Sequence, residues 1–310
     1  MIRQARVRAF AKINLDLRVL YKHPDQYHEL RTIFQTISLS DRLNISYTRG
    51  RTTSYALTGN LDIPNNLVLR AAAACMEEMR VTGHVAMELE KSIPMGAGLG
   101  GGSSDAAAVL LALPPLAGRV IPIARLIAIG RELGSDVPFF LLGGRAVGIG
   151  RGTELYPLRD LPSLHGIVVA PGIHVSTAEA YRALGRGALT TERLQNNIDS
   201  FIGRWWDECG VAGQNDFEEA IFSANPLLAR LKRLLVKLGA EPAMMSGSGS
   251  SIFGFFRTLP DVSRALKSFQ KERVFRISLM SRARYQSFWR RSLRVHTADT
   301  VWPPQSRYSQ

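Results

Sequence analysis

The chain has 310 residues, 45% of them hydrophobic and 21% charged, with 27 glycines, 15 prolines and a net charge of +13. That balance excludes wholesale disorder, collagen and coiled coil, and no apolar run reaches the ~20 residues of a membrane span. The longest, residues 106–117, is broken by Pro114 and Pro115, and Lys12, Asn14 and Asp16 interrupt the start before a signal core can form, so a cytoplasmic enzyme is expected.

In chain order, Val7–Ala9 and Asn14–Val19 read as extended segments around Lys12, followed by strands at Leu30–Ile37 and, edge-like in its alternation, Asp41–Tyr47. Asn66 stands as the cap of an amphipathic helix over Leu67–Met79. Val85–Leu89 alternates as a strand and runs into a glycine-rich segment. A helix over Ser103–Leu113 follows, stopped by Pro114-Pro115. Pro122–Leu133 is helical up to Gly134, and Ala146–Ile149 with Glu154–Leu158 forms a hairpin around Gly150-Arg151-Gly152.

Beyond Leu161-Pro162-Ser163, a linker, come a strand at His165–Ala170 and helices near Thr177–Leu184, Phe217–Phe222 and Pro226–Leu238. A Gly/Ser turn at Ser246–Ser251 leads into the strand Ile252–Phe256, then a helix near Leu259–Glu272 and a strand at Arg273–Met280. Strands mixed with helices and hairpins, without strict βαβ alternation, predict an α+β fold. The length suits two domains, divided here as residues 1–162 and 163–295, with 296–310 a loose basic tail.

The positive charge favours anionic partners, and it is concentrated at the end: from Lys271 onward there are nine cations and two anions. Arg282–Arg291 interleaves arginines with Tyr285, Phe288 and Trp289. Two readings fit: a nucleic-acid surface with stacking rings, or a terminal helix whose rings pack on the second domain while its arginines face water. Cys75 and Cys209 are isolated, which predicts a buried, reduced thiol at Cys75 and no disulfide framework. The six histidines show no metal-ligand spacing, so no protein metal site is expected.

The chemistry concentrates at Pro94-Met95-Gly96-Ala97-Gly98-Leu99-Gly100-Gly101-Gly102-Ser103-Ser104. Such glycine density is costly unless the backbone needs positive φ or close approach, and the segment opens a helix whose N-terminal amides and dipole favour an anion. Ser103 and Ser104 supply hydroxyls for a phosphate or a magnesium ion, or cap the helix. No lysine follows the glycines, so this is not a Walker A loop, and the third glycine of a dinucleotide fingerprint is missing.

This loop resembles that of the GHMP kinases. Ala11-Lys12-Ile13-Asn14-Leu15, Tyr27-His28-Glu29-Leu30, Gly134-Ser135-Asp136-Val137-Pro138-Phe139-Phe140 and Met245–Ser251 extend the resemblance over about residues 7–290. They point to the branch whose acceptor is the 2-hydroxyl of a methylerythritol carrying a cytidine diphosphate, on the non-mevalonate route to isoprenoids. Asp105 stands where some members carry Asn. The resemblance implies a two-domain kinase with its active site in the interdomain cleft, ATP as cosubstrate and magnesium as the expected ion. Phosphoryl transfer needs a proton acceptor and positive charge around the reacting groups. Asp136 fits either a general base or a helix cap, and the resemblance selects the base. Lys12 either snorkels to solvent or faces the site, and the resemblance makes it the electrostatic partner of Asp136, with Asn14 as orienter.

The resemblance also assigns Tyr27 and Tyr181 to stack on cytosine and His28 to its edge. The loop residues 94–104 and Asn66 fall to ATP, although capping explains Asn66 equally well. Ser246 and Gly247 lie near the substrate diphosphate or the ATP phosphates, or steady the first loop. Another GHMP kinase, acting on an uncharged or amino-acid alcohol, is the nearest rival expectation, and a basic nucleic-acid-binding protein on a kinase-like fold the more distant one.

Overall fold

The structure, a computed structural model, describes residues 2–22, 28–184 and 213–297. Tyr27, Cys209 and the tail from residue 298 lie outside them.

Two long strands organise the first half. Strand β1 (Ile2–Lys22) pairs antiparallel with β2 (His28–Arg49). The other edge of β2 is shared between β4 (Gly83–Glu90), along residues 42–49, and β5 (Arg145–Gly150), along residues 30–35. Strand β3 (Ser54–Gly59) runs parallel to β4, and β6 (Glu154–Pro157) closes the hairpin with β5, giving a six-stranded sheet. The Asp41–Tyr47 segment is therefore not an edge: β1 and β4 flank it on both sides. Its alternation reports one solvated face of the sheet, which an interior antiparallel strand shares with an edge strand.

Helices α1 (Leu67–Met79), α2 (Gly101–Leu116), α3 (Ile123–Leu133) and α4 (Val137–Leu142) bury their apolar faces with Val7, Ala9, Leu43, Ile45, Val85 and Met87 of this sheet. Cys75 of α1 is free and fully buried, and burial pushes its thiol pKa up. Pro114 and Pro115 do not stop α2. They sit in its last turn, and the helix closes two residues later, where Gly118 at φ 67° lets Arg119 N–H reach the Pro114 carbonyl at 2.9 Å and Gly118 N–H reach Pro115 at 3.0 Å.

The second sheet has the order β10-β7-β9-β8, from β7 (His165–Ala170), β8 (Ala243–Met245), β9 (Ile252–Phe256) and β10 (Arg273–Ser278). On one face, α7 (Pro226–Lys237) and α8 (Leu259–Lys267) cover Ile167, Val169 and Ile252, with α5 (Thr177–Ala183) and α6 (Glu218–Ala224) beside them. On the other face, Val168, Phe253, Phe255 and Ile277 pack against Ala11, Ile13, Leu15, Ile33 and Ile37. The middle of the β1–β2 ribbon is thus buried on both sides, and Lys12 and Asn14, which alternate with Ala11, Ile13 and Leu15, project from the face opposite the second sheet, beside Phe34 and Thr32.

Helix α9 (Arg282–Leu293) corrects one expectation. It packs on the first sheet, not the second: Tyr285, Trp289 and Leu293 join the core that holds Phe10 and Phe140, and Tyr285 Oη donates to the Phe140 carbonyl at 2.5 Å. Gly143 makes room for the Tyr285 ring, since a Cβ there would stand 2.2 Å from it. Tyr285 and Trp289 therefore offer no exposed stacking surface, and Phe288 is held between the Arg8 and Arg291 guanidinium groups.

Candidate active site

A cleft of about 1390 Å³ opens between the glycine loop and residues 131–136 on one side and residues 174–182 on the other, and Lys12, His28, Asp136, Tyr181, the glycines of residues 96–100 and the turn 247–249 all line it. Lys12 is placed by β1, whose register slips between Phe10 and Lys12. Its backbone N–H donates to the Leu99 carbonyl at 3.0 Å, tying the strand to the glycine loop. The ammonium is nearly buried, donates to Asn14 Oδ1 at 2.8 Å and lies 3.5 Å from Asp136 Oδ2. Asn14 Nδ2 donates to Thr32 Oγ1 at 2.6 Å, and that hydroxyl donates to the Asp16 carbonyl at 2.7 Å. One of the three Lys12 N–H donors is thus held by the fixed Asn14, and Asp136 is the carboxylate that faces the ammonium. Asp136 occupies the cap position of α4, but its carboxylate makes no capping hydrogen bond, and 30% of the side chain is open to the cleft.

The glycine loop runs from β4 to α2. Gly98 adopts φ 76° and Gly100, the cap position of α2, φ 69°, a region that costs an L-residue about 1–2 kcal/mol. Ala97 and Leu99 anchor the loop by burying their side chains in the inter-sheet core. Ser246 Oγ donates to the Gly98 carbonyl at 2.9 Å, and Ser251 N–H to Ala97 at 3.2 Å. Of the three open readings of the second turn, propping the first loop is the one visible in the bonds, and Gly247 faces the cleft beside it.

The two serines part company because successive helical residues point about 100° apart. Ser103 lies beside Gly134, where a Cβ would be 3.8 Å from its hydroxyl. Ser104 is buried and donates to the Phe10 carbonyl at 2.7 Å. Asn66 caps α1, accepting from Val68 N–H at 3.0 Å, while Leu67 beside it approaches Gly102. Met95, after Pro94, is exposed. Gly101 packs against Ile93 and the Lys91 ammonium.

At the far end of the cleft His28 stacks on Tyr181, with ring centroids 4.5 Å apart and planes 18° from parallel. Phe217 meets Tyr181 edge-on at 5.0 Å. Burial, and then the charge of Asp136, push the Tyr181 hydroxyl up to about 12, so the aromatic wall and the acidic group share one space. Sequence reasoning missed Thr32, Phe217 and Asn215. Buried Asn215 donates to the Met245 and Gly247 carbonyls, both at 2.8 Å, and accepts from Phe217 N–H at 3.0 Å, shaping the second turn and the wall together. An Asn in a loop carries no local signal of such distant partners.

Gly98→Ala is expected to destabilise the chain by about 2–4 kcal/mol, from left-handed strain plus overpacking, because its Cβ would stand 2.0 Å from the Ser246 carbonyl oxygen. Thermal unfolding with and without ATP measures this. A variant with native melting temperature and native nucleotide protection would refute the loop geometry.

Comparison with known proteins places this geometry. Residues 66–144 match the family described as GHMP kinases N terminal domain, and residues 203–273 match GHMP kinases C terminal. The 4-diphosphocytidyl-2-C-methyl-D-erythritol kinase of Solibacter usitatus (strain Ellin6076) is 60% identical over 99% of this chain and 98% of its own length. A crystal structure of 4-(cytidine 5'-diphospho)-2C-methyl-D-erythritol kinase is 37% identical, covers 88% of this chain and 98% of its own, and superposes with a TM-score of 0.73. The homoserine kinase of Cytophaga hutchinsonii shares the fold at a TM-score of 0.68 and 16% identity, covering 90% of this chain and 95% of its own.

Proposed function

The chain belongs to the 4-diphosphocytidyl-2-C-methyl-D-erythritol kinases of the GHMP kinase family, and on that premise we propose that it transfers the γ-phosphoryl group of ATP to the 2-hydroxyl of 4-diphosphocytidyl-2-C-methyl-D-erythritol, a step of isoprenoid precursor synthesis. The observation that carries the reading is the buried Lys12 ammonium 3.5 Å from Asp136 Oδ2, beside the glycine loop and in the same cleft as the His28–Tyr181 stack. The loop amides and the N-terminus of α2 receive the nucleotide phosphates. Asp136 takes the proton from the alcohol as its oxygen bonds to the γ-phosphorus and the bond to the ADP oxygen breaks. Lys12, fixed by Asn14 and Thr32, sets positive charge where the alcohol oxygen and the transferring group carry negative charge.

Magnesium bound with the nucleotide would neutralise charge on its phosphates. Ser103, in the first turn of α2 beside Gly134, is the group of this chain that would hold it. Among the described residues no three His, Cys, Asp or Glu side chains cluster into a cage, and that sparse donor set fits an ion that keeps several waters and phosphate ligands.

The cytidine is read by the aromatic wall. Tyr181, braced by Phe217, is the stacking platform, and His28 leaves it to meet the base edge with a donor and acceptor pair. His28→Ala is expected to raise KM for the cytidine substrate about 3–10-fold, the worth of a net hydrogen bond, with KM for ATP unchanged. Equal loss for both substrates would remove His28 from the cytidine site. Initial rates with ATP and, separately, the diphosphocytidyl alcohol, mevalonate and homoserine test the proposal as a whole. Faster turnover of a cytidine-free alcohol would overturn it in favour of another GHMP specificity.

A further inference from the structure

One group of buried charges has no part in the chemistry above. Lys91, at the exit of β4, has a side chain only 4% exposed, and its ammonium bridges two carboxylates that are equally buried. It donates to Asp41 Oδ2 and, at 2.7 Å, to Asp105 Oδ2. Asp41 comes from β2 and Asp105 from the start of α2. The second oxygen of Asp41 accepts the backbone N–H groups of Ser92 at 2.6 Å and Ile93 at 2.8 Å. Asn60 clasps the Lys91 backbone from the other side, accepting from its N–H at 2.8 Å and donating to its carbonyl at 3.0 Å.

These contacts fall on both ends of one segment. Residues 92 and 93 enter the glycine loop, and Asp105 lies just after it leaves into α2. Between them five of the eleven residues are glycine, which has more conformational freedom to lose than any other residue. A loop of that composition keeps a fixed row of amides only if its ends are fixed. The Lys91 ammonium also packs against Gly101, where a Cβ would be 3.1 Å away, so the cation sits directly under the first turn of the helix.

We infer that Lys91 is a positioning residue for phosphoryl transfer, its ammonium clamping Asp41 at the entry and Asp105 at the exit of the loop so that the loop amides stand ready for the nucleotide phosphates. The inference rests on the nucleotide reading of that loop. Charge balance within the triad supports it. Burial opposes the Lys91 charge, but the two carboxylates outweigh it and raise the Lys91 pKa, so the cation persists. Asp41 has the two amide donors. Among the described residues Asp105 Oδ1 has no hydrogen-bond partner, and burial drives the Asp105 pKa well up against the pull of Lys91. A cluster built for stability alone gains little from such an arrangement, because apolar replacement of buried ion pairs is often neutral or stabilising.

Two variants test the clamp. Asp105→Ala cuts the exit tether while Lys91 keeps Asp41 as counter-charge. The pair Lys91→Met with Asp105→Leu cuts the same tether with apolar side chains of similar volume and leaves Asp41 to its amides. In both, the dissociation constant for a non-hydrolysable ATP analogue is expected to rise about tenfold while that for the diphosphocytidyl alcohol stays within about twofold, a change of roughly 1.4 kcal/mol confined to one substrate. Asp105→Asn, which keeps an acceptor for the ammonium, is expected to stay within about twofold for both. Native ATP affinity in either tether-cutting variant would overturn the inference. So would parallel weakening of both substrates in step with a lowered melting temperature, the pattern of a merely structural cluster. Failure of the nucleotide reading itself looks different: the unaltered chain would not bind the analogue.

Discussion

Asp136→Asn is expected to lower kcat by roughly two to four orders of magnitude, the usual worth of a general base, with both substrates still bound. The substitution is nearly isosteric, and the carboxylate it replaces caps no helix, so the fold of α4 does not depend on the charge. What changes is the proton acceptor. An amide cannot take the alcohol proton, and the Lys12 ammonium 3.5 Å away loses its counter-charge. The expected signature is a fall in kcat with each KM changed only a few-fold, which marks an interaction made in the transition state alone. Steady-state kinetics together with calorimetric binding separates the two quantities. A variant with native kcat would end the general-base assignment. A variant that bound neither substrate would make Asp136 a binding group.

Lys12→Met is the second large effect. Methionine fills much of the same volume, so the comparison isolates the charge. Lys12 is held by Asn14, which Thr32 fixes in turn, and its Nζ stands over the Phe34 ring, 5.5 Å from the centroid. So placed, the cation needs no reorganisation during reaction, and loss of such a preorganised group costs about 10²–10³ in kcat. Stability should also fall by about 1–3 kcal/mol, because buried Asn14 Oδ1 loses its donor. Lys12→Arg should not rescue turnover, since a planar fork does not reproduce a compact ammonium in a packed slot. Native turnover in Lys12→Met, measured where the chain is folded by thermal melting, would remove Lys12 from the chemistry.

Local signals made much of this molecule legible. Asn66 before Leu67–Met79, the strand His165–Ala170 and the hairpin about Gly150–Gly152 are each encoded within a few residues, and each forms where the pattern puts it. The glycine loop was legible for the same reason, since its conformational cost falls on the residues that carry it. Other features depend on partners far along the chain. Nothing near Tyr285 reveals that its hydroxyl meets Phe140, 145 residues away, so the packing of α9 was assigned to the wrong sheet. Pro114 and Pro115 read as a stop because the compensating Gly118 turn acts only after them. Within the candidate site, Lys12, His28, Tyr181 and Asp136 converge on one cleft, whereas Thr32 and Asn215 gave no sign, because a threonine in a strand or an asparagine in a loop looks the same with or without a buried partner. Lys91 is silent for the same reason, since a lysine after a strand looks alike with or without buried carboxylates around it.

The chemistry proposed for this cleft is the transfer of one phosphoryl group from ATP onto one alcohol. Phosphorus-31 NMR of the purified chain with ATP, magnesium and 4-diphosphocytidyl-2-C-methyl-D-erythritol tests it directly. A new phosphomonoester resonance on the oxygen of carbon 2, equimolar with ADP, is expected, while the two phosphates of the cytidine diphosphate keep their coupling. ADP accompanied only by inorganic phosphate, or a new ester on another oxygen of the substrate, would contradict it.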